Sequence, residues 1–224
     1  MARILIFLPI ICVLFTGCFG TDSPFVYTTV RGDGNIRTIE RDVGHFTSLR
    51  ITGSHTSVVY GDREGPLRIT GEENILQHLD IYIDNDRLVI TSKGNVNLRP
   101  SQRVEIEIPA KHLTKVRVSG SNRIELLHID RDYFHIHGSG STRVIADGYV
   151  GDLEVRMSGS SRLDAVHLIT ENANVRTSGT SRAEIHTEDI LEARSSGSSR
   201  IRYYGNPIEV TAQSSGSSSV RAAK

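Results

Sequence analysis

The sequence predicts an all-β protein: a parallel β-helix solenoid with coils of about 19 residues, preceded by a strand-rich N-terminal part packed on the helix or continuing it. Three observations predict it. The nonapeptide "VRVSGSNRI" returns as "IHGSGSTRV", "VRMSGSSRL", "VRTSGTSRA", "ARSSGSSRI" and "AQSSGSSSV", with central glycines Gly120, Gly140, Gly159, Gly179, Gly197 and Gly216 at intervals of 20, 19, 20, 18 and 19 residues. Such a fixed period marks units that bury their apolar faces only by stacking on one another. Around each glycine apolar and polar residues alternate, the period of a strand, and no stretch sustains the 3.6-residue period of a helix.

The N-terminus reads as a secretory signal over residues 1–17. Arg3 supplies a positive charge, Ile4 to Phe15 is apolar, and small residues precede Cys18. Twelve apolar residues are too short to span a bilayer, which takes about 20. "LFTGC" resembles the bacterial lipobox, with Phe15 in place of the usual Leu, so Cys18 is the expected lipidation site and Cys12 leaves with the signal. Acyl chains on Cys18 would hold the protein to a membrane by hydrocarbon burial. Phe19, which is not Asp, fits export to the outer membrane of a Gram-negative envelope.

Residues 18–24 are small and polar, a lipidated tether. Residues 25–110 read as strand after strand, among them "FTSLRIT", "TSVVYG", "PLRITG", "LDIYI", "RLVITS" and "VEIEIP". "IYIDNDRLVI" predicts a hairpin around Asp84, Asn85 and Asp86, residue types that tolerate the left-handed backbone of tight turns. "EENILQHLD" suggests a single helical turn, and "LRITGSHTSVVYG" reads as a degenerate earlier copy of the repeat.

Residues 111–224 carry the repeats. Four positions before each glycine stand Val116, Ile136, Val155, Val175, Ala193 and Ala212, and four after it Ile124, Val144, Leu163, Ala183, Ile201 and Val220. Both columns should face inward, and the Ser-Gly-Ser corner between them needs a residue free to take positive φ. Nineteen residues at about 3.3 Å each trace a perimeter of about 60 Å, enough for two or three short strands per coil. Crossover connections favour the right hand.

At this point the chain resembles a known bacterial family, the GIN domain of auto-transporter adhesin heads. The likeness is carried by "GNIRTIERDVGHFTSLRITGSHTSVVYG", "LDIYIDNDRLVITS", "VEIEIPAKHLTKVRVSGS" and the Ser-Gly-Ser repeats, and covers about Asn35 onward. The resemblance implies a secreted or lipidated domain of β-helical form, adhesin-like by architecture, with no catalytic residue and no cofactor.

Two outward columns follow from the alternation. Three positions before the glycines stand Arg117, His137, Arg156, Arg176, Arg194 and Gln213, and three after them Arg123, Arg143, Arg162, Arg182, Arg200 and Ser219. Stacked coils would line these up as two arginine ladders flanking a band of serines. The simpler reading is a solvated surface neutralised by Glu125, Asp164, Glu184, Glu154 and Glu192, each two residues from a ladder position. The functional reading is a repetitive site in which forked guanidinium donors and hydroxyls bind an anionic glycan or another envelope component.

Net charge is zero, with 26 basic and 26 acidic side chains, so no global field attracts a polyanion. The repeated serines do not suggest nucleophiles, because every coil offers the same hydroxyl and no elbow or base singles one out. His135 and His137 share a strand face, a spacing that can bind a metal if a third ligand converges, for which Asp132 is the nearest candidate; two histidines on a solvated strand are the simpler reading, and no metal is expected. Nothing marks a nucleic-acid module. Two alternatives stand beside an envelope adhesin: a carbohydrate-active enzyme on a β-helix, whose best repeat-interrupting residues are Asp147 and Asp152, and an assembly protein that forms a homo-oligomer through an open C-terminal coil.

Overall fold

The computed structural model describes residues 28–94 and 96–223. The signal, the tether and Cys18 lie outside the described residues. The strands in chain order are β1 (Thr28–Arg31), β2 (Ile36–Arg41), β3 (Ser48–Gly53), β4 (His55–Tyr60) and β5 (Leu67–Glu72), then the one-turn helix α1 (Glu73–Leu76). There follow β6 (Leu79–Asp84), β7 (Arg87–Ser92), β8 (Val96–Arg99), β9 (Val104–Pro109) and β10 (Lys115–Gly120). The repeats form β11 (Arg123–Gly140), β12 (Arg143–Met157), β13 (Arg162–Thr177), β14 (Arg182–Ser195), β15 (Arg200–Tyr204), β16 (Glu209–Ser214) and β17 (Ser219–Ala222).

The repeats build a parallel β-solenoid of about five turns over residues 115–222. Each central glycine registers on the next: β10 pairs with β11 so that Gly120 meets Gly140, and arginine meets arginine between Arg143, Arg162, Arg182 and Arg200. All six repeat glycines have positive φ, from +72° to +100°. Their corners also pack backbone on backbone. A Cβ built on Gly159 would lie 2.7 Å from the Gly140 oxygen, and one on Gly179 2.8 Å from the Gly159 oxygen. The corner therefore demands glycine twice, for its backbone angle and for the absence of a side chain. Backbone bonds run up this edge as well, from Ser160 N to Gly140 O and from Thr180 N to Gly159 O, each 2.8 Å.

Inside, one continuous apolar core extends from Phe46 to Ile201. Both expected inward columns are buried from the first repeat through Ala193 and Ile201. In the last coil Ala212 is exposed and Val220 only half buried, a departure from the expected core. The reason is stacking: among the described residues β16 pairs with β14 on one edge and with no strand on the other, and every residue of it is exposed.

The N-terminal strands continue the stack. β3 pairs in parallel with β10, placing Gly53 under Gly120 and Arg50 under Arg117, and β4 pairs in parallel with β11. The degenerate copy read in "LRITGSHTSVVYG" is thus a true coil. Beneath it lies a coil that comes later in the chain, since β7 pairs in parallel with β3 and β9 with β4. Antiparallel strands then close this end, β6 on β7, β5 on β9 and β2 on β5. The reversal stops the parallel ladder and covers its edge. The expected hairpin joins β6 to β7 through Asn85 and Asp86, at φ +47° and +58°, the double left-handed geometry of a type I′ turn.

Two groups fasten the cap. The buried Glu72 carboxylate accepts bonds from Gly34 N (2.7 Å), Ser101 N (2.8 Å) and Ser101 Oγ (2.6 Å), and these bonds, the Ser101 hydroxyl first, hold it below the usual carboxylate range. Arg131 donates to the carbonyls of Gly61, Lys111 and Leu113, tying the crossover into β10 onto the first repeat.

Candidate functional site

The surface on either side of the glycine edge is set by strand alternation. On the leading side Arg50, Arg117, His137, Arg156, Arg176, Arg194 and Gln213 lie in register. On the trailing side Arg123, Arg143, Arg162, Arg182 and Arg200 do the same. All nine expected arginines occupy these two rows, spaced about 4.8 Å apart as parallel strands are, and each is exposed. Arg50 adds a member that lies outside the nonapeptides. Its signal was its position three residues before Gly53 in the degenerate copy.

The expected neutralisation of the rows fails for most of their length. Among the described residues only two of the nine arginines have a carboxylate oxygen within 4.0 Å: Arg123 with Glu125 at 3.0 Å and Arg156 with Glu154 at 2.6 Å. Glu184 instead meets Arg202 of the next coil at 3.7 Å, and Glu192 accepts from Asn174 at 3.0 Å. Side chains two apart on one strand stand nearly 7 Å apart at their bases. An acid therefore reaches the nearer group across the ladder as readily as the arginine on its own strand. Arg143, Arg162, Arg182 and Arg200 form an uninterrupted run with no carboxylate partner among the described residues.

Shallow grooves follow both rows. On the leading side a groove of about 630 Å³ is lined by His137, Arg156, Arg176 and Arg194 with Ser158, Ser178 and Ser196. An adjoining one of about 580 Å³ shares Arg156 and Arg176 and is walled by Tyr133, Asp152, Glu154, Asn172 and Asn174. On the trailing side about 310 Å³ is enclosed by Arg143, Arg162 and Arg182 with Ser141, Ser160 and Thr180. Hydroxyls one residue to either side of the glycine thus accompany the guanidinium groups.

The hydroxyls that hold the corner together are a different set, which the sequence reading did not single out. Two residues after the first five glycines stand Asn122, Thr142, Ser161, Ser181 and Ser199, all buried, while Ser218 after Gly216 is half buried. Ser161, Ser181 and Ser199 each donate to the carbonyl three residues back, at 2.9, 2.7 and 2.8 Å, and Asn122 Nδ2 donates to Ser119 O at 2.7 Å. His55 opens this column one coil earlier. It is buried, neither ring nitrogen has a hydrogen-bond partner among the described residues, and burial holds its pKa below the usual value.

His135 and His137 sit where the leading row meets the first repeats. His135 Nδ1 lies 2.9 Å from Glu154 Oε2, and its ring contacts Tyr133 edge-on. Burial first holds both imidazoles below their usual pKa; at His135 the Glu154 carboxylate opposes it and Lys115 and Arg156 reinforce it, whereas at His137 Arg117 and Arg156 reinforce it. Asp147 accepts from the His128 backbone at 2.6 Å and Asp152 from Asn172 at 3.0 Å, so both serve the coil-to-coil ladder.

These features define a class: a parallel β-solenoid that displays identical side chains in rows along its length, a scaffold for repeated surface contact. The chain belongs to the family described as "Putative auto-transporter adhesin, head GIN domain", whose model matches residues 45–207. That description is adhesin-like and points to a cell surface or envelope and to a non-enzymatic role. Among solved structures, one from Bacteroides fragilis described as a putative adhesin is similar with a TM-score of 0.68 and 14% identity, covering 87% of this chain and 100% of its own. One from Parabacteroides distasonis described as a putative lipid binding protein has a TM-score of 0.56 and 19% identity, over 88% and 100%. A third, a putative adhesin from Parabacteroides merdae, has a TM-score of 0.53 and 18% identity, over 88% and 99%. At these identities the likeness is one of fold. No curated protein matches the chain.

Proposed function

We propose that this protein is a non-catalytic envelope lipoprotein, exported by the signal over residues 1–17, anchored through Cys18 and held at the outer membrane, whose arginine and serine rows bind an anionic glycan. The observation that carries the reading is the unpartnered run Arg143, Arg162, Arg182 and Arg200. Neighbouring guanidinium charges about 5 Å apart repel by up to about 0.8 kcal/mol per pair even in water. A linear polyanion laid along the rod removes that repulsion and gains a forked hydrogen bond at each coil. Each contact is weak, and the rigid stack preorganises them so that they add along the chain.

Retention of acidic oligosaccharides should rise with their length and fall with added salt. The double reversal R162E/R182E should abolish it. Retention unchanged by that reversal would overturn the reading.

A second reading, self-association through the C-terminal coil, is favoured by the uncovered strand β16 and by Ile208, which is 86% exposed. Molar mass measured by light scattering should then rise with concentration, and a constant monomer mass would remove it.

A further inference from the structure

The leading row has two positions that are not arginines, Gln213 in the last coil and His137 inside the stack, and His137 has basic groups on both neighbouring strands. His137 on β11 faces Lys115 and Arg117 on β10 and Glu154 and Arg156 on β12, with His135 and Tyr133 on its own strand. Lys115, Arg117, His135, His137, Glu154 and Arg156 line a small, half-open cavity of about 90 Å³. It has room for several waters, and a tetrahedral oxyanion fits among its basic groups. Glu154 is committed to Arg156 at 2.6 Å and to His135 at 2.9 Å. Lys115, Arg117 and His137 therefore face the cavity with no acid of their own within 4.0 Å among the described residues.

We propose that this cavity is a proton-coupled subsite for a single sulfate or phosphate ester, bound by Lys115 Nζ, the Arg117 guanidinium and the His137 imidazole. It deepens the glycan reading and rests on it for the source of the ester. The coupling follows from placement. With the cavity empty, burial and the cations on both neighbouring strands keep the His137 imidazole neutral at neutral pH. An oxyanion among the same groups reverses the local charge and favours the imidazolium. Binding then takes up a proton, and by linkage affinity strengthens as the pH falls. The arginine rows alone have no such dependence, since guanidinium stays charged throughout.

The test is calorimetric titration of the protein with a sulfated oligosaccharide, whose esters remain ionised, at about pH 8 and about pH 5.5, which bracket the imidazole range. Affinity should be about fivefold tighter at the lower pH, the gain of one added ion pair at a partly exposed site. H137Q should remove the pH dependence, R117Q should weaken binding at both pH values, and R68Q on the distant cap should change neither. Equal affinity at the two pH values, or a dependence that survives H137Q, would overturn the subsite. Binding that is independent of pH and lost in R162E/R182E would leave the ladder reading standing without it. Acid-strengthened binding that survives R162E/R182E and is lost in H137Q would keep the subsite and remove the ladder. No binding at either pH would remove both.

Discussion

Gly159→Ala tests the corner that every coil shares, and its cost can be built from two separable parts. Gly159 has φ +73°, and its added Cβ would lie 2.7 Å from Gly140 O and 3.1 Å from Gly140 N. Holding a non-glycine residue in the left-handed region costs about 1–2 kcal/mol. Forcing a methyl against backbone that is itself bonded in the stack adds about 1–3 kcal/mol. The sum is about 2–5 kcal/mol, or about 4–20 °C in Tm for a chain of this length. Two other glycines separate the parts. Gly44, at φ +68° with nothing within 4 Å of a built Cβ, carries only the angle, and Gly94, also open but without positive φ, carries neither. Thermal and urea unfolding by circular dichroism of all three alanine variants should therefore rank G94A near the wild type, within about 0.5 kcal/mol, G44A lower, and G159A lowest. If G159A unfolds no more easily than G44A, the close stacking of successive corners is wrong, and the rows of arginine built on that stacking go with it.

The buried hydroxyl column and the exposed one should respond oppositely. Ser181 donates to Ser178 O and to Met157 O at 2.7 and 3.2 Å; Met157 O keeps the Ser178 N–H, so S181A should cost about 1–3 kcal/mol for the Ser178 carbonyl left short of a donor; S178A, on the exposed side of the same corner, should stay within about 0.5 kcal/mol in the same melts. His55 bears on acid stability. Because burial lowers its folded-state pKa, its contribution is fully present above the unfolded value of about 6.5 and is lost as the pH falls toward the lowered folded value. The unfolding free energy should accordingly drop between about pH 7 and pH 5, by at most about 1.4 kcal/mol per pH unit for one proton, and H55N, which places the Asn found one coil later at the same position, should flatten that drop. An equal pH slope in H55N would assign the acid sensitivity elsewhere.

Much of the solenoid was legible in the residues because its rules are local. Strand alternation fixes which side chain of a nonapeptide faces in, and a period near 19 residues repeats that choice, so Val155 and Leu163 inside and Arg156 and Arg162 outside follow from counting. The hairpin at Asn85 and Asp86 was legible for the same reason, a turn being the chemistry of two residues. Which acid meets which arginine was not, since Glu184 had Arg182 on its own strand and Arg202 on the next within comparable reach. Nor did local pattern distinguish the serine just after the glycine from the buried one beside it, although the first faces solvent and the second holds the corner.

By itself, then, the amino-acid sequence determined the strands, their faces, the spacing of the coils and the two rows of arginine. Tertiary structure alone decided that β7 and β9 slip beneath β3 and β4, that antiparallel strands close that end, that Glu72 and Arg131 fasten it, and that most arginines of the two rows go without a carboxylate among the described residues. Period-two alternation is written in neighbouring residues, whereas these outcomes depend on pairings such as Arg50 with Arg117 and Gly34 with Glu72. No local pattern specifies such distant partners. They are chosen by the competition of whole strands for one edge of the stack.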